Sequence, residues 1–168
     1  MRRNQHGQAA IEYVIAFSAL LLPVTFAIIF TAQILWIWHS VVDFTRSGAR
    51  YATTHCWQGD AENVRAWMRN NTPLMADRDQ FQSGQAEIQI QYYSRDPESG
   101  ALAEFSCDQG ECSSACVPEV VTVRIVNYEF RSFVTNFLGL PPVTLPDFHT
   151  TLSMQSAGCD PEQGTCLP

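Results

Sequence analysis

The chain has 168 residues and a formal net charge of −7, a length that suits one modest domain plus an anchor. All 10 basic residues are arginines, and from His39 onward 8 arginines stand against 16 acidic residues, about −8. That balance argues against nucleic-acid binding, which needs a basic face to neutralise phosphates.

In chain order, Arg2 and Arg3 come first, then Gly7, then an apolar run that contains Glu12. Residues 14–38, VIAFSALLLPVTFAIIFTAQILWIW, carry no formal charge. Roughly 20 apolar residues cross a bilayer core, so this run is long enough to span it with some tilt. Ser18, Thr25 and Thr31 are tolerable there because a helix lets hydroxyls bond back to its own carbonyls. Pro23 removes one helical hydrogen bond and predicts a kink. Gln33 lies near the far end, and Trp36 and Trp38 suit the outer interface. Arg2 and Arg3 before the span, and net acid after it, put the N-terminus in the cytoplasm and residues 39–168 across the membrane. The run outlasts the roughly 7–15 residues of a signal-peptide core, and no A-x-A site closes it.

The helical period continues past the span. Val41, Val42, Thr45, Ala49 and Ala52 keep three-four spacing, which predicts an amphipathic stem. Asp43 can meet Arg46 across one turn, and Gly48 is a weak point, costing about 1 kcal/mol against Ala in an exposed helix. A helix from Gln8 to about Thr54 would be roughly 70 Å long, with about 25 Å clear of the bilayer. After a break at Gln58-Gly59, Asp60 suits an N-cap for a second helix. Its inner face would hold Val64, Trp67, Met68 and Asn71, and Pro73 marks its end.

Residues 86–93 alternate, with Ile88, Ile90 and Tyr92 on one side, as a half-buried strand does. Residues 94–118 read as a polar loop. Residues 119–128 form a second strand facing inward with Val121, Val123 and Ile125. Phe130, Phe133, Phe137 and Leu138 recur near helical spacing, as in a short helix or packed loop, and PPVTLP breaks it. Residues 147–155 alternate again, through Phe148, Thr150, Leu152 and Met154. The fold class is therefore α+β: a long N-terminal transmembrane and stem helix, a second helix, and a small antiparallel sheet of about three strands.

Cys56, Cys107, Cys112, Cys116, Cys159 and Cys166 all lie beyond the span. An even count in an exported domain points to disulfides, and six cysteines allow 15 pairings. Local loops favour one pair within Cys107, Cys112 and Cys116, a second between Cys159 and Cys166, and the leftover cysteine with Cys56. Zinc is the weaker reading, because there is no C-x-x-C and no histidine at finger spacing.

Gly7 followed by Gln-Ala-Ala-Ile-Glu-Tyr and a membrane run resembles the processing site of type IV prepilins. More narrowly it is similar to the Flp and TadE/TadF branch. FTRSGARYA, residues 44–52, resembles the ARxGARYA stretch behind the membrane helix of TadE-like proteins, and HTTLSMQSAG is similar to their closing strand. The resemblance is firm over residues 1–55 and loose beyond. It implies a leader at 1–7, a transmembrane helix at 8–38 and an extracytoplasmic stem at 39–56; the α+β domain at 57–168, with its disulfide-bearing loop and tail, rests on the residue patterns above and not on the resemblance. It implies a prepilin peptidase cutting after Gly7 to release Gln8, with Arg2 and Arg3 fixing topology. Glu12, beside Tyr13, would pair with the N-terminal amine of a neighbouring subunit; a carboxylate in a low-dielectric bundle is costly alone and tolerable when paired. The implied protein is a TadE-like minor pilin or pseudopilin of a bacterial Tad-type pilus, held in the inner membrane before assembly. Its partners would be other pilins, the peptidase, an assembly platform and membrane lipid.

Two other classes compete. A single-span anchored binding module would never enter a filament. An enzyme would need a constellation that is missing: His39, His55 and His149 stand apart, Ser113 and Ser114 lack a G-x-S-x-G elbow, and no P-loop or H-E-x-x-H occurs. No cofactor is implied.

Overall fold

The computed structural model describes residues 6–58, 60–107, 112–139, 141–154, 156–160 and 162–166, with side chains throughout except at 6–8 and 138. Arg2, Arg3 and Gly59 lie outside them. The protein is α+β, and it divides into two units. One takes in residues up to Trp36 together with Arg131–Pro142, and the other takes in Ile37–Phe130 and the residues from Val143 on.

Helix α1 runs over His6–Thr54, 49 residues, without a break at Pro23. It starts two residues before Gln8 and ends at Thr54, where the apolar period ends. In the first unit its surface is apolar all round, with Ile11, Ile15, Leu20, Ile28 and Leu35 exposed. Thr25 and Thr31 donate back to the carbonyls of Leu21 and Ala27, each at 2.8 Å. Within the same unit, helix α4, Phe133–Leu138, is a short apolar element whose Phe137 stacks on Phe26.

In the second unit the upper part of α1 is core. Val41, Phe44, Thr45, Ala49 and Ala52 are buried, and Val42 is half-buried. Asp43 and Arg46 form an exposed pair at 3.4 Å. Gly48 is not the exposed weak point that its helix propensity suggests. A Cβ there would stand 2.5 Å from Met68 Sδ, and Met68 is itself buried. The glycine is what lets helix α2, Glu62–Asn70, pack so close. An Ala there would require the Met68 thioether to shift, which sets a packing cost against the roughly 1 kcal/mol that Ala offers a helix.

The start of α2 also departs from expectation. Asp60 does not cap it; the capping position is Ala61, in the left-handed region at φ 50° with no side-chain cap bond. A turn from Ala61 N–H to the Gln58 carbonyl, 2.8 Å, fixes that geometry. Glu62 supplies the negative charge that the first helical turn favours and pairs with Arg65 at 2.9 Å. Val64 and Met68 face inward, Asn71 is exposed, and Trp67 is half-buried, stacked on Tyr51 at 4.5 Å. Helix α3, Arg78–Ser83, follows, capped by the Asp77 side chain.

The sheet has four strands, not three, in the order β2-β1-β3-β6, all antiparallel. They are β1 Glu87–Arg95, β2 Leu102–Glu104, β3 Val120–Val126 and β6 Phe148–Ser153. Register places Ile88, Ile125 and Phe148 in one row, Ile90, Val123 and Thr150 in the next, and Tyr92, Val121 and Leu152 in a third. These rows form the inner face, as strand alternation demands. Thr45 of α1 meets Thr150 at 3.1 Å between their hydroxyls. Strand β2 lies within the expected loop and is fully exposed. Two small hairpins complete the unit, β4 Glu129–Phe130 with β5 Val143–Thr144 and β7 Cys159–Asp160 with β8 Thr165–Cys166.

Tyr92 gives this core a pH signature. Its hydroxyl is buried without a hydrogen-bond partner among the described residues. Burial pushes its pKa up to about 12, against a smaller opposing pull from Arg65. The unfolded phenol ionises near 10, so the unfolded chain binds fewer protons above that pH and the folded state loses stability between pH 10 and 12. The slope is about 1.4 kcal/mol per pH unit. Tyr92→Phe is expected to be neutral or stabilising at pH 7, because it removes an unsatisfied polar group. It should also flatten the alkaline loss; urea unfolding at pH 8 and pH 11 measures both. An unchanged alkaline slope in the variant would contradict this account.

Candidate functional site

The segment that carries the candidate chemistry is the start of α1. Gly7 and Gln8 lie in its first turn. Glu12 is exposed one turn beyond Gln8, on the same face at helical i, i+4 spacing. Tyr13 is also exposed and stacks on Phe17 with ring centroids 5.8 Å apart. The ion pairs among the described residues lie elsewhere, on Asp43, Glu62 and Glu119. A carboxylate thus stands on an apolar helix whose neighbours are Ile11, Val14 and Ile15, all exposed. That arrangement can bind a cation presented from another helix and is unfavourable without one.

Among the described residues α1 is the one helix long and apolar enough to cross a membrane, and none of its most apolar window is buried in the protein. An apolar surface all round a helix is what a lipid environment requires. The model of the TadE-like protein family matches residues 7–50. This stretch is similar to that family. It starts at Gly7, takes in Glu12 and Tyr13, and runs through the buried stem positions Val41, Phe44, Gly48 and Ala49. The sheet, the cysteines and α4 lie outside it. No curated protein and no solved structure matches the chain.

The TadE-like segment also holds a buried polar group. Gln33 Oε1 is buried with no hydrogen-bond partner among the described residues. An unpartnered amide acceptor buried in an apolar surrounding is a local cost. Trp36 is widely exposed, whereas Trp38 is packed against the sheet. Its ring meets Phe148 edge-on at 4.9 Å and belongs to the sheet unit.

Behind the segment, the cysteines are joined as Cys56–Cys112, Cys107–Cys116 and Cys159–Cys166. Cys56 sits two residues past the end of α1, so the first bridge ties the helix to the long loop. The last bridge closes the β7–β8 hairpin, and Gly158 beside it packs against the Thr54 carbonyl, leaving no room for a Cβ. His55 stacks on Tyr51 at 3.6 Å, and His39 and His149 are exposed. No group of three His, Cys, Asp or Glu among the described residues could hold a metal. A polar groove of about 600 Å³ runs along β1, but its cations Arg65 and Arg69 are engaged by Glu62 at 2.9 and 3.4 Å.

Proposed function

We propose that this chain is a membrane-anchored minor pilin or pseudopilin of a Tad-type pilus, with a non-catalytic role in priming, biogenesis or the tip of a fibre used for adhesion. One observation carries this: the TadE-like segment begins at the glycine of the expected cleavage point and presents an exposed Glu12 on an all-round apolar helix. In this reading the leader stays cytoplasmic, held by Arg2 and Arg3. Cleavage after Gly7 frees an amine at Gln8, and α1 holds the chain in the inner membrane. The three disulfides support an oxidising compartment for the domain that follows. The partners are other pilins of the same fibre, the prepilin peptidase and the assembly platform.

The test is the mass of the N-terminus. In cells with an active prepilin peptidase the chain should begin at Gln8; in peptidase-deficient cells it should keep its leader. Gly7→Leu should likewise keep the leader, since a side chain at that position would not fit a cleft built for glycine. A mature-sized Gly7→Leu product would refute the processing step. An intact leader in wild-type cells would sink the pilin reading and leave the single-span anchored module.

A further inference from the structure

Residues 132–146, SFVTNFLGLPPVTLP, carry no charge, and Arg131 and Asp147 bracket them. Most of this stretch falls in the same unit as the apolar part of α1. There α4 meets the helix through its rings and Val134. Phe137 stacks on Phe26 at 6.3 Å and on Phe133 at 5.9 Å, making a three-ring ladder. Val134 is buried and closes an apolar groove of about 480 Å³ with Leu22, Pro23, Phe26 and Phe30. The outward rings are bare: Phe133 is 70% exposed and Phe137 67%, close to the 72% of Leu20 on α1.

Position and polarity both bear on what covers those rings. Phe26 precedes Trp36 by ten residues, about 15 Å along a helix, which is half of a hydrocarbon core about 30 Å thick. Backbone groups at that depth must be satisfied internally. Around α4 several of them are: Ser132 Oγ accepts from Thr135 N–H at 3.1 Å, and Thr135 Oγ1 accepts from Ser132 N–H at 3.0 Å, a reciprocal capping box. Gly139, left-handed at φ 65°, returns its N–H to the carbonyls of Asn136 and Thr135. Pro141 and Pro142 bring no N–H at all. The polar side chain of Asn136 is set apart, sharing a small groove with Arg131 and Pro142.

We propose that the uncharged segment around α4, residues 132–139, is a second membrane element. It is the tip of a hairpin that enters the leaflet from which α1 emerges, stacks Phe137 on Phe26, and places the bare faces of Phe133 and Phe137 among the acyl chains. The occupant of the bare face is lipid, because that face is continuous with the exposed apolar surface of α1 and has no charge for a water-facing partner to meet. The inference rests on the reading of α1 as a membrane span.

Spin-label depth measurement tests it on the full-length protein in phosphatidylcholine–phosphatidylglycerol vesicles. The described cysteines are all paired, so one nitroxide can be placed in turn at Phe133→Cys, Phe137→Cys, Leu20→Cys in the span, and Ser99→Cys at the exposed β1–β2 turn. All four side chains point outward, so the labels leave the core intact. At 133 and 137 the collision ratio of oxygen to a water-soluble nickel chelate should match Leu20 and exceed Ser99 several-fold. An aqueous ratio at 133 and 137 with Leu20 in lipid would overturn the hairpin alone. An aqueous ratio at Leu20 as well would overturn the span and the hairpin with it. Labels at 133 and 137 shielded from both colliders would mean a protein cover, such as a second copy, and would overturn the lipid assignment.

Discussion

A chain carrying Cys56→Ala with Cys112→Ala is expected to lose about 4 kcal/mol of stability in its sheet unit, against about 2.5 kcal/mol for Cys159→Ala with Cys166→Ala. The ranking follows from loop length. The first bridge spans 56 residues, a stretch that takes in α2, α3, β1 and β2. The other two span 9 and 7 residues. Cross-linking removes denatured-state entropy that grows with the logarithm of the loop, so the longest loop stabilises most. Alanine is the right replacement because Cys56 is buried and a serine would add an unsatisfied hydroxyl. Trp57, next to Cys56 and edge-on to Tyr92 and Phe105, reports unfolding in urea. Equal midpoints for the two double variants would contradict the loop argument. So would a larger loss on cutting the β7–β8 bridge.

The bridge also has a mechanical consequence. Beyond Thr54 the helical backbone stops, and the covalent path to the sheet runs through α2 and α3 before reaching β1. Cys56–Cys112 supplies a shortcut from the end of α1 to the segment that leads into β3. A subunit drawn along a fibre by its N-terminal helix would pass load across that bridge. The same variant should therefore fail under shear before it fails at rest.

Much of this architecture is legible in the sequence because it obeys local periods. The charge-free run and the three-four spacing of Val41, Thr45, Ala49 and Ala52 give α1 to its last residue. Alternation gives β1, β3 and β6 with the correct inner faces. What escaped depends on partners far away in the chain. Leu102, Ala103 and Glu104 have no alternation and no burial; they are a strand because Tyr93, Ser94 and Arg95 pair with them through backbone. Helix α3 was hidden because its central buried residue is polar. Gln80 donates to the Glu129 carbonyl and accepts from the Glu129 N–H, both at 2.9 Å, so its amide stands in for a strand edge. Gly48 looked like a flaw because propensity knows nothing of Met68. At the candidate site the order reverses. Gly7, Gln8, Glu12 and Tyr13 stand out only through their resemblance to a prepilin processing site, which lies in one short stretch, whereas the ladder from Phe26 to Phe133 joins residues more than a hundred positions apart.

Glu12→Ala is expected to separate membrane insertion from assembly, moving them in opposite directions. A carboxylate at the centre of a span costs about 2.5–3.5 kcal/mol on insertion scales, less near an end. Its removal should therefore leave insertion, topology and cleavage intact or improved. Assembly should suffer. After cleavage the Gln8 amine, with an ordinary value near 7.7–8.0, is largely charged at neutral pH, and in the proposed fibre it meets Glu12 of a neighbour. Breaking one half of a buried ion pair costs about 3–5 kcal/mol, since the other charge stays behind unpaired. That is a hundredfold or greater fall in the fraction of chain recovered in sheared pili relative to the membrane. Glu12→Asp keeps the charge and shortens its reach, so it should fall between the wild type and the alanine variant. Because Glu12 is exposed on α1 and touches no core residue, a folding defect does not offer a rival explanation; intact disulfides and normal membrane levels of each variant would confirm that. Wild-type recovery of Glu12→Ala in pili would reject the pairing role and leave Glu12 as an interfacial charge that reaches out of the bilayer.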